Sequence, residues 1–225
     1  MNIALNVERI REQIALAAEK AGRNPEEIKL IGVTKTVDAQ AAAEVLNAGV
    51  SELGENRVQS FLDKYDVLGD RPNWHLIGHL QTNKVKYIIG KVKLIHSVDT
   101  LHLAEEINKK AKSLGIRQDI LFQFNISGEE SKSGAAAEDA ERIFEALSGM
   151  DGLSVRGLMT MAPLGADEAE TRQVFAGLRE LSCKIAGQNY PGVTMEHLSM
   201  GMSGDFEAAI QEGATLVRVG TALFV

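Results

Sequence analysis

The stretch Ile28-Lys29-Leu30-Ile31-Gly32-Val33-Thr34-Lys35 decides how the rest of the chain is read. It is a short, nearly continuous apolar run, as in a strand covered on both faces, and residues 38–48 after it place apolar side chains at helical spacing. The same pairing recurs to the end of the chain. Strands are expected at 29–34, 52–54, 73–77, 94–97, 120–125, 155–159, 195–198 and 216–219. Helical segments fall near 38–48, 55–67, 81–89, 100–113, 135–148, 167–186 and 203–211, each long enough to cross over between parallel strands. Eight repeats predict a closed (β/α)8 TIM barrel, since open doubly wound sheets usually stop at about five or six strands. No helix follows the last strand, and the amphipathic segment 3–21 (Ile3, Leu5, Val7, Ile10, Ile14, Ala17, Ala18) is expected to fill that place in the outer ring.

At about 150 residues per domain, a chain of 225 residues allows one large domain or two small ones. No linker or shift in composition divides it, so residues 1–225 are read as one domain. A hydrophobic content of 44% suffices for its core, and 1 Trp, 3 Tyr and 7 Phe leave that core mainly to aliphatic side chains. A net charge of −7 argues against a nucleic-acid partner. One cysteine, Cys183, forms no internal disulfide, which fits a cytoplasmic protein; its helical, apolar setting suggests packing. Glu8, Arg9, Arg11 and Glu12 interrupt any signal peptide, and no apolar run is long enough to span a membrane. His75 and His79 straddle a strand and its loop, not one helix face, so no metal site is expected. The pair Glu129-Glu130 reads as a solvated loop.

In such a barrel the active site lies at the C-terminal ends of the strands. Lys35 follows the first strand: against low-dielectric walls its amine can attack a carbonyl and form a Schiff base, but position alone favours a solvated strand-end lysine. Ser199-Met200-Gly201-Met202-Ser203-Gly204-Asp205 leads into a helix and reads either as a phosphate cradle or as a Ser-capped flexible turn. The phosphate site of many barrels falls here and at Gly220-Thr221. Arg218 lies within the last strand and needs a partner, whether a ligand's ring nitrogen or carboxylate or an inward carboxylate of the protein. A Schiff-base lysine, a phosphate site and an arginine between them together match the aldehyde, phosphate and pyridine nitrogen of pyridoxal 5′-phosphate.

The motifs resemble those of the pyridoxal phosphate homeostasis proteins, also called proline synthetase co-transcribed homologues. They are IGVTK at 31–35, LGENRVQ at 53–59, WHLIGHLQTNK at 74–84, IHSVDT at 95–100, FNISGEESKSG at 124–134, GLMTMAP at 157–163, LSMGMSGDFEAAI at 198–210 and TLVRVGTALF at 215–224. The resemblance implies a barrel like the N-terminal domain of alanine racemases, with the cofactor held as a Lys35 aldimine. It implies phosphate contacts at Ser199, Gly201 or Ser203 and at Gly220 and Thr221. Arg218 would face the pyridine nitrogen, and Asn56, His79 and Met159 would line the pocket. Lys132 matches a lysine position of the family, with a role in cofactor exchange set against that of a plain loop lysine. The chain departs from the family pattern at Phe224-Val225, where a glycine and an arginine usually follow the phenylalanine.

An arginine at the pyridine nitrogen keeps it unprotonated, which makes the ring a poor electron sink. The racemases compensate with a tyrosine base from a separate β domain, for which this chain has no sequence left; Tyr65, Tyr87 and Tyr190 fall on or beside outer helices, where packing is expected. The resemblance therefore implies a monomeric carrier that serves vitamin B6 homeostasis and hands cofactor to apo-enzymes or free amino acids. The alternatives are a weak racemase-like enzyme using His79, Lys132 or Ser199 as bases, and a phosphosugar enzyme with Lys35 as an aldolase-type lysine and no cofactor.

Overall fold

The structure, a computed structural model, describes residues 2–129 and 132–225. Among them are strands β1 (Lys29–Val33), β2 (Glu52–Glu55), β3 (Asn73–Leu76), β4 (Leu94–Val98), β5 (Gln118–Gln123), β6 (Leu153–Met159), β7 (Val193–Ser199) and β8 (Leu216–Val219). They pair in sequence order, all parallel, and β8 pairs with β1 to close the barrel. Around it lie α1 (Ile3–Lys20), α2 (Ala39–Asn47), α3 (Val58–Leu68), α4 (Val85–Ile88), α5 (Leu101–Ser113), α6 (Ala140–Ser148), α7 (Glu168–Ala186) and α8 (Phe206–Gln211). The eight expected strands are all present, with ends shifted by a few residues.

The N-terminal helix takes the expected place. α1 buries Ile3, Val7, Ile10, Ile14, Ala17 and Ala18 while packing against α2 and α8, and so closes the outer ring. Asn6 ties it to the end of the chain, its side-chain amide donating to the carbonyls of Leu223 at 3.1 Å and Val225 at 2.8 Å.

Most of the core lies between sheet and helices. The aliphatic side chains do not fill it alone: Trp74, Phe61, Phe122, Phe124, Phe144 and Phe175 are fully buried, so the few aromatics present are spent largely on the interior. The barrel lumen holds a small apolar layer of Ile31, Leu94, Leu121, Met159 and Leu216. Gly157 sits where β6 and β7 slip register, with φ +149, and a Cβ there would collide with the carbonyl of His197.

Several helical expectations need correction. The segment 55–67 starts as a helix only at Val58, because Glu55 completes β2. Segment 81–89 divides into a 3-10 turn, Thr82–Lys84, and the short α4. Segment 135–148 opens with Ala135 bridged to Phe124, and α6 begins at Ala140 after the turn Ala137–Asp139. Segment 203–211 becomes helical only at Phe206, because the Asp205 carboxylate accepts the Met202 N–H and closes a turn first. Cys183 is exposed on α7 and not packed. Tyr190 stacks on Phe144 as expected of packing, but Tyr87 is exposed, with the ammonium groups of Lys84 and Lys86 over its ring. Glu129 is exposed, and Glu130 lies outside the described residues. No helix among the described residues is long and apolar enough to cross a membrane, and no cluster among them has the make-up of a metal site.

Candidate functional site

The C-terminal strand ends surround a cavity of about 430 Å³, within the size range of small-molecule sites. Lys35, Asn56 and His79 line it from one side, and Ser203, Arg218, Gly220 and Thr221 from the other. The remaining three expected residues stand behind this surface. Met159 belongs to the apolar layer of the lumen. Gly201 faces α8, and its carbonyl accepts the Arg218 N–H at 3.0 Å. Ser199 is wholly buried below the cavity.

Thr34 fixes the strand end that carries Lys35. Its N–H donates to the carbonyl of Gly54 at 3.1 Å and its hydroxyl to Glu55 Oε1 at 2.5 Å. Lys64 Nζ reaches the same Glu55 oxygen at 2.8 Å, and both partners are buried. Lys35 itself is exposed and bonds no described residue. On the neighbouring strand ends, Asn56 and Gly78 bring β2 and β3 together, because a Cβ at Gly78 would overlap Asn56. His79 is exposed, with Nδ1 3.8 Å from Asp99 Oδ2; burial raises the Asp99 carboxyl, and the His79 charge opposes the shift.

The expected phosphate cradle is not built on a helix end. The six-residue α8 begins beyond Gly204, and the cavity is bordered instead by the turn Met202–Gly204 and by Gly220. The Gly220 N–H donates to Ser203 Oγ at 3.2 Å, so a backbone donor and a hydroxyl meet at one spot. The N–H groups of Ser203 and Gly204 have no acceptor among the described residues, and a Cβ at Gly204 would meet only open space. Hydroxyl, backbone donors and clearance make a fit for a phosphate monoester.

Arg218 is 3% exposed. Its partner is not the inward carboxylate considered from the sequence: Nη1 donates to Ser199 Oγ at 2.6 Å and Nη2 to the carbonyl of Thr160 at 3.0 Å. Burial lowers its pKa to about 10, with Asp205 opposing, so it stays charged at neutral pH.

Ser199 continues into a polar strip. Its Oγ lies 2.8 Å from His96 Nδ1, His96 Nε2 lies 2.8 Å from His75 Nδ1, and His75 Nε2 lies 2.7 Å from Glu52 Oε2. Ser199 is on β7 and His96 on β4, strands that are not neighbours, so the contact crosses the lumen. At the far end Asn73 donates to Glu52 Oε1 at 3.0 Å, and Lys93 approaches that oxygen at 3.7 Å. Sequence reasoning gave His75 no role and passed over His96; the signal was a polar residue inside an apolar strand run. It also passed over Gln123, Met161, Met202 and Ser133 on the cavity wall, of which only Gln123, two residues from Leu121 on the inward face of β5, follows strand alternation. Lys132 lines a second cavity of about 990 Å³ that shares Met161, Met202, Ser203 and Gly204 with the first.

Residues 5–225 match the family model described as the N-terminal domain of alanine racemase. The pyridoxal phosphate homeostasis protein of Aquifex aeolicus is 47% identical over 225 residues, all of this chain and 98% of that protein. Among solved structures, PipY of Synechococcus elongatus PCC7942 with PLP bound superposes with a TM-score of 0.88 at 36% identity, covering 99% of this chain and 100% of PipY. An alanine racemase of Clostridium difficile 630 shares the fold alone, with a TM-score of 0.76 at 21% identity over 99% of this chain and 56% of the racemase.

Proposed function

Because the chain belongs to the pyridoxal phosphate homeostasis protein family, we propose that its cavity holds pyridoxal 5′-phosphate on Lys35 and that the protein acts as a carrier of that cofactor in vitamin B6 homeostasis. When bound, the cofactor supplies an aldehyde that condenses reversibly with primary amines. The observation that carries the reading is the convergence on one cavity of the unpartnered Lys35 amine, the charged Arg218 and the donors of Ser203, Gly204 and Gly220. PLP bound to PipY supports it.

Each residue has a separate task. Lys35 supplies the amine for covalent attachment. Ser203, Gly204, Gly220 and Thr221 bind the phosphate, and Asn56 and His79 border the ring. Gly201 and Met159 serve from behind by setting the position of β8 and filling the lumen. Arg218, a donor only, can meet the ring nitrogen only while that nitrogen is unprotonated, which leaves the ring a weak electron sink and favours carriage over turnover.

Borohydride reduction of the loaded protein followed by peptide mass spectrometry tests the attachment. The cofactor mass is expected on Lys35, and Lys35→Ala is expected to lose both that adduct and the visible absorbance band. A protein that stays colourless with added pyridoxal phosphate would speak for the phosphosugar reading. Solvent-proton exchange at the α carbon of amino acids, abolished by Lys35→Ala, would show an enzyme.

A further inference from the structure

The Glu52 end of the polar strip sets the direction along it, and the Arg218 end is compatible with that direction. Arg218 has only donors, so Ser199 Oγ accepts from it, and the serine hydroxyl hydrogen is free to be donated to His96 Nδ1. At the other end burial raises the Glu52 carboxyl, but the hydrogen bond from His75, the charge of His75 whenever it is protonated, the charge of Lys93 and the hydrogen bond from Asn73 outweigh it and lower the group, which is ionised at neutral pH. Ionised Glu52 only accepts, so His75 Nε2 carries the hydrogen. With both rings neutral, the 2.8 Å contact between them can be made only by His96 Nε2–H donating to His75 Nδ1. Each heteroatom along the strip then has one role, and both imidazoles are Nε2–H tautomers.

We propose that Ser199, His96, His75 and Glu52 are positioning residues for Arg218, forming a one-directional hydrogen-bonded relay through the lumen that holds its guanidinium at the cavity floor. This rests on the reading that Arg218 meets the cofactor's ring nitrogen. The relay moves Ser199 from the expected phosphate contacts to a support beneath them, in keeping with its complete burial. Neutral rings also follow from the surroundings. Burial lowers both His75 and His96, and His75 faces Lys29 and Lys93 besides Glu52. His96 faces His75, His197 and Arg218, all of which disfavour a charge on it. A proton added to the pair would reverse the imidazole contact and turn His96 Nδ1 into a donor toward Ser199.

Long-range proton–nitrogen correlation spectra of the full chain without cofactor test the direction of the relay. His75 and His96 are expected as neutral Nε2–H tautomers between about pH 6.5 and 8, with ring protons slow to exchange. An Nδ1–H tautomer or a charged ring at either position overturns the relay. Binding tests its purpose. Ser199→Ala is expected to weaken pyridoxal phosphate binding about tenfold and to move the pH midpoint of its absorbance band, while Ser199→Thr keeps both near wild type. If Ser199→Ala and a folded His96→Phe change neither quantity while Arg218→Ala changes both, the relay is wrong and the cavity reading stands. If Arg218→Ala changes neither, the cavity reading fails and the relay with it.

Discussion

Glu55 and Lys64 form a buried ion pair just outside the residue that precedes Lys35, and Glu55 Oε2 has no hydrogen-bond partner among the described residues. Removing one partner leaves the other charge without compensation, so Lys64→Met is expected to cost about 3–5 kcal/mol in urea denaturation. Combining it with Glu55→Gln should recover most of that loss, and an additive double mutant would show that the pair is not coupled. The same single substitution loosens the Thr34 hydroxyl contact, so weaker pyridoxal phosphate binding should accompany it. At this scale the sequence was legible where a polar residue ended an apolar run, as at Lys35, or interrupted one, as at Arg218. It could not tell the partner of Ser199, because a serine bonded to a histidine three strands away looks the same in the chain as one bonded to phosphate.

Strands were easier to read than helices. A short apolar run bounded by turn residues has few alternatives to a strand. Helix starts depended on local side-chain bonds that spacing does not carry, such as the Asp205 turn ahead of α8. The register slip at Gly157 was equally invisible, yet it constrains the barrel: Gly157→Ala would drive a Cβ into β7 and should lower stability by roughly 3 kcal/mol, read as a drop in Tm. An unchanged Tm would mean that β6 and β7 can part locally. At the closure of the outer ring, Asn6→Ala removes both bonds to the last residues, and a loss of about 1–2 kcal/mol is expected without change of fold by circular dichroism.

For the whole molecule, the buried imidazoles set the response to acid. Burial lowers His75, His96 and His197 in the folded protein, so below their unfolded pKa of about 6.5 the unfolded chain takes up protons that the folded one refuses. Stability is therefore complete above that pH and is lost as the pH falls, by up to about 1.4 kcal/mol per unit for each imidazole fully out of step. Glu52 adds a loss of the same sign further down, as the pH falls from its ordinary 4.5 toward about 2. A urea midpoint that stayed constant from neutral pH down to about 5 would contradict this assignment. The cavity also has unequal ends: Arg218 is buried, whereas Lys35 stands in solvent. For a carried aldehyde, that difference sets the kinetics of handover. An incoming amine can reach the reactive carbon before the phosphate and ring leave their seats, so transfer should be bimolecular, its rate rising in proportion to acceptor concentration and extrapolating to nearly zero without any.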